Sequence, residues 1–227
     1  MFLKSFARKA LNLLGYDVSL YSSKAMVLGS ELPFLLYFKR VFEYIKDKEG
    51  DVVECGVHFG RTLLFLSHLV KDEGTGRKIW GFDSFEGLPA LSKEDLGLRP
   101  RRKGELSAGN ILKVNNFLIS GGLGNDFVSS QVTLIKGFFK DSLSKYTGSK
   151  IAILHIDADL YDSYLTVLNE FYPKVVSGGV VLFDEYVTTR DMIYWPGAQR
   201  AIDDFFGDKK NLIQRDDRTG KYYLIKP

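Results

Sequence analysis

The hydrophobic pattern consists of short apolar runs that end in acidic residues, separated by longer segments with apolar residues at helical spacing. Residues 151–157 (IAILHID) and 179–184 (GVVLFD) are two such runs, and Leu165, Leu168 and Phe171 recur at helical spacing between them. This order predicts strand, helix and strand. A connection of that length forms a right-handed crossover, so we expect the two strands to be parallel.

The same pattern predicts the other elements of a single α/β domain spanning 1–227. A helix is expected at about 31–48 and another, after the glycine-bearing turn GVHFG, at 61–71. Further strands are expected at 51–55 (DVVEC), 78–83 (KIWGFD) and 131–137 (QVTLIKG), the last followed by a short helix. At the C-terminus, NLIQR and KYYLIKP flank DDRTG, which indicates a hairpin.

Two segments differ from this alternation. Residues 1–30 begin with a basic and apolar stretch that predicts an N-terminal helix and arm, docked on the domain or on a second subunit of a homo-oligomer. Residues 84–127 are glycine-rich and weakly patterned, with a helix expected around 110–119. A segment of that length predicts a mobile cover, or lid, over the substrate.

Composition narrows the class of protein. The 227 residues are 45% hydrophobic, enough for a full core, and the formal net charge of +3 is too balanced to indicate a nucleic-acid partner. No apolar run is long enough to predict a transmembrane segment. The single cysteine, Cys55, excludes an internal disulfide and predicts a reducing, cytoplasmic location.

One cluster of basic residues lies at 99–103 and consists of Arg99, Arg101, Arg102 and Lys103. A short run of like charge is weak evidence for a site, so a solvated loop is the favoured interpretation. The alternative is electrostatic steering of an anionic substrate.

Carboxylates follow the two strands described first: Asp157 and Asp159 follow one, and Asp184 and Glu185 follow the other. If these parallel strands are neighbours, their carboxyl ends meet at the sheet edge where open α/β folds bind ligands. Like charges that crowd together are costly unless a cation or protons offset them, which predicts a divalent-metal site. The alternative is that Asp159 or Asp162 only caps the following helix.

The turn after the first strand contains Gly56 and Gly60, which let the backbone approach a ligand closely. Asp83, at the end of the second strand, is suited to accept hydrogen bonds from a ribose diol. The turn departs from the dinucleotide fingerprint because it lacks the third glycine, and the acid Glu54 is unfavourable beside phosphates. An adenosyl cofactor with a cationic centre, S-adenosylmethionine, fits these residues better.

Through these residues the chain resembles the macrocin O-methyltransferase family. The members of this family are metal- and S-adenosylmethionine-dependent sugar O-methyltransferases of natural-product biosynthesis. The similarity covers about residues 1–215. It is carried by the blocks DVVECGVHFGRT, IWGFDSFEGLP, IKGFFKDSL, LHIDADLYDSYLTVLNEFYPKVVSGGVVLFDEY and PGAQRAIDDFF. The resemblance implies the class I methyltransferase (Rossmann-like) fold, a seven-stranded, mostly parallel sheet with a C-terminal antiparallel hairpin and helices on both faces.

The resemblance also implies roles for individual residues. The implied cofactor-binding residues are Glu54, Gly56, Val57, Gly60, Thr62, Asp83, Ser84, Gly137, Phe138 and Asp157. Asp157 and Asp184 correspond to metal ligands of the family, and Asp159 to its catalytic base. Glu185 stands where the family usually has a second aspartate, and its longer side chain leaves direct or indirect ligation open.

The expected function is therefore transfer of a methyl group from S-adenosylmethionine to a hydroxyl, assisted by Mg²⁺ or another divalent cation. The expected acceptor is a small molecule: a sugar, a glycosylated natural product or a polysaccharide precursor. Three alternatives remain: a catechol- or phenol-type O-methyltransferase, a nicotinamide-dependent oxidoreductase, and a non-catalytic binding protein with the same fold.

Overall fold

Seven strands form one sheet in the order β3-β2-β1-β4-β5-β7-β6 in the computed structural model, which describes residues 29–107 and 109–227. The strands are β1 (Asp51–Cys55), β2 (Ile79–Asp83), β3 (Val132–Lys136), β4 (Ile151–Ile156), β5 (Val175–Phe183), β6 (Gln214–Arg215) and β7 (Tyr222–Ile225). The first five are parallel, and β7 pairs antiparallel with both β5 and β6. The predicted parallel sheet and C-terminal hairpin are confirmed.

Helices cover both faces of this sheet. They are α1 (Leu32–Tyr44), α2 (Arg61–Glu73), α3 (Ile111–Leu118), α4 (Asn125–Gln131), α5 (Phe139–Ser142), α6 (Tyr161–Phe171), α7 (Thr189–Tyr194) and α8 (Pro196–Phe206). The predicted N-terminal helix lies almost wholly outside the described residues. Within the described ranges, no helix has the length and apolar character needed to cross a bilayer.

The core divides into two layers because successive strand residues point to opposite faces of the sheet. Val53 and Leu154 pack in one layer with the buried faces of α6 and α8, whereas Val52 and Ile153 pack in the other with α1 and α2. The inner strands are buried on both faces, which explains why they appear in the sequence as continuous apolar runs.

Two predicted boundaries are wrong by several residues. The helix expected at about 31–48 ends at Tyr44, because Arg77 reaches the carbonyl oxygens of Ile45 and Gly50, each at 2.9 Å, and holds the chain in a turn. β5 begins at Val175 rather than at 179, since Val175 pairs with Ile151 before an irregularity in the register between β4 and β5. Both differences depend on contacts with residues distant in sequence.

The register aligns the carboxyl ends of the central strands. Cys55 of β1 pairs with Ile156 of β4, and Ile156 pairs with Phe183 of β5. The ladder continues one residue further, since the Asp157 N–H donates to Cys55 O and the Asp184 N–H donates to Ile156 O, both at 2.9 Å. The residues that follow these strands therefore meet at one edge of the sheet.

Candidate active site

A cavity of about 620 Å³ opens at this edge of the sheet. Its lining includes the ends of β1, β2, β4 and β5, and residues of the segment after β2 and of the region around α7. The predicted site residues found in the lining are Gly56, Asp83, Ser84, Gly137, Phe138, Asp157, Asp159, Asp184 and Glu185. Folding thus brings together nine predicted residues from five separate regions of the sequence.

Three of the acids come close enough to share one cation. Asp157, Asp184 and Glu185 each place a carboxylate oxygen within 4.8 Å of the others. Burial and the charge of Asp184 raise the pKa of Asp157 to about 7, and burial followed by the charge of Asp157 raises the pKa of Glu185 well above its usual value. Three carboxylates that repel one another, each offering an oxygen ligand, fit a hard divalent cation.

Asp184 differs from its neighbours because Lys221 contacts it. The Lys221 Nζ lies 2.5 Å from Asp184 Oδ1 and 2.8 Å from Asp184 O. Burial by itself would raise the pKa of Asp184, but the charges of Lys221 and His155 outweigh it, so this pKa lies below its usual value. Lys221 thus keeps one of the three acids ionised.

Glu185 is held by Tyr164 of α6. The Tyr164 hydroxyl lies 2.6 Å from Glu185 Oε2 and 3.0 Å from Ile156 O, and both residues are buried. This bond fixes the orientation of the Glu185 side chain.

Asp159 lies in the loop beyond β4 with a left-handed backbone, φ +62°. Burial, and then the charge of Asp157, raise the pKa of its carboxyl group well above the usual value, against the opposing charge of Arg101. Asp159 does not cap the following helix. The N–H of Tyr161, at the start of α6, donates instead to Asp95 Oδ1 at 2.8 Å. Asp159 therefore keeps its carboxylate available to the cavity.

The turn after β1 requires glycine at Gly56. Its φ is +101°, and a Cβ there would lie 1.7 Å from Asp157 O, so any side chain would displace the backbone that carries Asp157. Asp83 holds the neighbouring loops, since its two carboxylate oxygens accept the N–H of His58 at 2.7 Å and the N–H of Phe85 at 2.6 Å. Both of these residues have positive φ values, so Asp83 fixes two strained turns that border the cavity.

Four predicted cofactor residues lie outside the lining of this cavity. Glu54 is buried and contacts His155 Nδ1 at 3.2 Å, Val57 belongs to the core, and Gly60 precedes α2. Thr62 lines a second cavity of about 220 Å³, which shares Asp184 and Lys221 with the first and also contains Arg61.

Sequence reasoning missed two residues of the site, Tyr164 and Lys221. Tyr164 lies on the apolar face of its helix, so the pattern predicts only a core residue. Lys221 lies in the hairpin, 37 residues after Asp184. Neither position carries a local signal for a role at the sheet edge.

The sheet order, the parallel register and the residues at the strand ends define a class I methyltransferase fold. The chain belongs to the macrocin O-methyltransferase (TylF) family, whose model matches residues 37–223. The resemblance found in the sequence blocks is thereby confirmed.

Two curated relatives are natural-product methyltransferases. The chain is 33% identical over 184 residues to the demethyldecarbamoylnovobiocin O-methyltransferase of Streptomyces niveus, covering 77% of this chain and 65% of the relative. It is 31% identical over 162 residues to the 8-demethyl-8-(2,3-dimethoxy-alpha-L-rhamnosyl)-tetracenomycin-C 4'-O-methyltransferase of Streptomyces olivaceus, covering 68% and 60%. The chain thus matches slightly less than two thirds of the length of these relatives.

Two solved structures of CalS11 also match, each at 25% identity over 87% of this chain and 80% of the other. One is described as a calicheamicin methyltransferase and gives a TM-score of 0.72. The other, an apo form described as a TDP-rhamnose 3'-O-methyltransferase, gives 0.63. The sheet and its helices are therefore those of a methyltransferase.

Proposed function

We propose that this protein is an S-adenosylmethionine-dependent O-methyltransferase that methylates a hydroxyl of a sugar. The observation that carries the proposal is the cluster of Asp157, Asp184 and Glu185 in the same cavity as the Gly56 turn and Asp83. Membership of the family supports the reaction, and the names of the relatives support a sugar-bearing acceptor.

The cofactor is proposed to lie along the carboxyl ends of β1, β2 and β3. Asp83 would accept hydrogen bonds from the ribose hydroxyls through the lone pairs that its two backbone partners leave free. Gly137 and Phe138 would border the adenine. Gly56 would let the backbone approach the sulfonium end, next to Asp157.

Asp159 is proposed to remove the proton of the acceptor hydroxyl. The raised pKa of its carboxyl group matches general-base work near neutral pH better than an ordinary aspartate does. Because Asp159 is not among the three clustered acids, its charge is not committed to a cation. Positioning of the hydroxyl against the methyl group supplies much of the remaining acceleration.

Asp157, Asp184 and Glu185 would hold a divalent cation, Mg²⁺ being the proposed one. A bound divalent cation supplies a Lewis acid that lowers the pKa of an acceptor hydroxyl. The residues around it have separate tasks: Lys221 orients Asp184, and Tyr164 orients Glu185. Residues 84–127 are proposed as the cover over the acceptor, and Leu88, Arg101 and Leu106 of this segment line the cavity.

The proposal is tested in two measurements. Calorimetric titration should detect binding of S-adenosylhomocysteine, and its absence would overturn the proposal. Methyl transfer from radiolabelled S-adenosylmethionine is then measured on a panel of glycosides, nucleotide sugars and phenols. We expect exhaustive chelation to abolish transfer to sugars and Mg²⁺ to restore it. Full activity after chelation would contradict the metal role.

A matched pair of variants distinguishes a specific role of the three clustered acids from the general effect of removing one negative charge. Asp157→Asn should abolish methyl transfer, because it removes one of three shared donors. Asp208→Asn removes the same charge from an exposed residue outside the cavity lining, so it should keep the wild-type rate. Equal rates for the two variants would remove the acid cluster from the reaction.

A further inference from the structure

The segment proposed as the cover over the acceptor contains a buried acid, Asp95. This residue is 3% exposed, lies outside the cavity lining and ends one turn of 3₁₀ helix, Lys93–Asp95. Its Oδ2 atom accepts the Ser92 N–H and the Ser92 hydroxyl, each at 2.8 Å, and its Oδ1 atom accepts the Tyr161 N–H, also at 2.8 Å. One carboxylate therefore joins the cover to the first residue of α6.

Asp95 does the work of a helix cap from a distant part of the chain. The N–H of Tyr161 is one of the donors that an α-helix leaves without a partner inside itself. Leu160, which precedes α6, provides no side-chain hydrogen bond to the helix, and the acceptor comes from 66 residues earlier in the sequence. Aspartate suits this position because it accepts such hydrogen bonds and its charge complements the amino end of the helix dipole.

The loop that carries Asp159 is anchored at both of its ends. At one end the Asp157 N–H donates to Cys55 O at 2.9 Å, and at the other end the Tyr161 N–H donates to Asp95. Asp159 lies between these anchors with a φ of +62°, a left-handed conformation that a residue other than glycine keeps only where the surrounding structure holds it. The contact with Asp95 therefore helps to hold Asp159 in its conformation.

The third element at this contact is α8, which supplies Gly197. A Cβ at Gly197 would overlap Asp95 Oδ1 and would lie 3.0 Å from the backbone nitrogen of Tyr161. The absence of a side chain at this position leaves the space that the carboxylate occupies. Asp95 is thus enclosed between α6 and α8, so it cannot shift toward α8 and still accept the Tyr161 N–H.

We infer that Asp95 is a positioning residue for the methyl transfer, which holds the start of α6 and thereby keeps Asp159 in its place at the cavity. The inference rests on the proposed function, in which Asp159 is the base. Because Asp95 lies outside the cavity lining, it acts through Asp159 and not on the cofactor or the acceptor. Its bonds to Ser92 also connect the proposed cover to the loop of the base.

A double-mutant cycle with Asp159 tests the inference. Single-turnover methyl transfer is measured on the member of the panel of glycosides, nucleotide sugars and phenols that the wild type methylates fastest. Asp95→Ala should slow transfer by about 10–100-fold, the effect of misplacing a reacting group by a small distance, while S-adenosylhomocysteine and Mn²⁺ bind as in the wild type. In the Asp159→Asn background the same substitution should have no further effect, because the group that it misplaces is already inactive.

A second variant, Gly197→Ala, displaces the carboxylate without removing its charge. It should slow transfer by about tenfold or more and should also be silent in the Asp159→Asn background, so it keeps the test decisive if Asp95→Ala does not fold. Hydrogen exchange, measured with S-adenosylhomocysteine bound, should be faster at residues 158–164 in both variants. This measurement needs no acceptor.

Two further variants are controls. Ser92→Ala keeps the bond between Asp95 and the Tyr161 N–H and should transfer the methyl group nearly as fast as the wild type. Asp51→Ala removes a carboxylate that accepts the Trp80 Nε1–H and the Tyr146 hydroxyl, both at 3.0 Å, at the amino-terminal edge of the sheet. It should cost stability but keep the wild-type rate.

The inference is overturned if Asp95→Ala keeps the wild-type rate, or if it slows transfer equally with and without the Asp159→Asn substitution. It is also overturned if Asp51→Ala slows transfer as much, or if Asp95→Ala weakens S-adenosylhomocysteine binding as strongly as it slows transfer, since Asp95 would then only support the fold. Failure of the proposed function is a separate result, because it appears in the wild type as absence of S-adenosylhomocysteine binding.

Discussion

Replacing Tyr164 by phenylalanine tests whether the hydroxyl of a core residue positions Glu185, a proposed metal ligand. The hydroxyl has one proton and two acceptors within reach, Glu185 Oε2 at 2.6 Å and Ile156 O at 3.0 Å. With Glu185 ionised, the shorter and charge-assisted bond takes the proton. Tyr164→Phe leaves this buried carboxylate without its donor.

The expected magnitude follows from that contact. Leaving a buried polar group without its hydrogen-bond partner costs about 1–3 kcal/mol, so urea unfolding should show a loss of free energy of unfolding in that range. Loss of a residue that orients a metal ligand typically weakens metal binding by about 10–100-fold. Titration of Mn²⁺, followed by electron paramagnetic resonance, should show a weakening of that size.

Tyr146→Phe is the matched control. The Tyr146 hydroxyl lies 3.0 Å from Asp51 Oδ2 and 2.9 Å from Lys150 O, at the amino-terminal edge of the sheet. It should therefore cost similar stability but leave Mn²⁺ affinity unchanged. If the two variants lose stability equally and both bind Mn²⁺ like the wild type, Tyr164 is only a core residue and the reasoning is refuted.

Three further predictions follow from the same edge of the sheet and from the hairpin. Asp83→Ala should weaken S-adenosylhomocysteine binding by about 1.5–3 kcal/mol in a folded protein, and unchanged calorimetric affinity would contradict its role. Asp159→Asn should keep cofactor and Mn²⁺ binding but slow single-turnover methyl transfer by about 10²–10⁴-fold, and a wild-type rate would exclude it as the base. Burial would raise the pKa of Asp216, but hydrogen bonds from Arg40 and Thr219 outweigh it, so the folded pKa lies below the usual value. The stability that Asp216 contributes is therefore present above the unfolded pKa of about 3.9 and is lost as the pH falls through the folded pKa. Asp216→Asn should thus cost about 0.5–1 kcal/mol in urea unfolding at pH 7 and less near pH 3.5, and a cost independent of pH would refute this.

The direction of the central strands was predictable because it depends on local pattern and on chain handedness. Apolar runs buried on both faces have few other structures available, and right-handed crossovers make them parallel. The acids after β4 and β5 therefore had to meet at one edge if the strands were neighbours, as the pairing of Ile156 with Phe183 confirms.

The partners of those acids were not predictable, because each comes from a distant part of the chain. Lys221 reaches Asp184 only because β7 inserts antiparallel beside β5. Glu54, which is expected at the cofactor, is buried and contacts His155, a residue 101 positions away in the sequence. An acid inside a strand looks the same in sequence whether it faces a ligand or a buried histidine.

The sequence by itself thus determined the sheet, the acidic strand ends and the glycine at position 56, since strand burial, crossover handedness and a positive φ value act over a few residues. The tertiary structure decided which charges are offset. Lys221 pairs with Asp184 at the sheet edge, whereas Arg101 lies 4.7 Å from the Trp195 ring centroid and its buried Nε has no partner among the described residues. Whether a basic residue is paired or available depends on distances between elements that no local pattern contains.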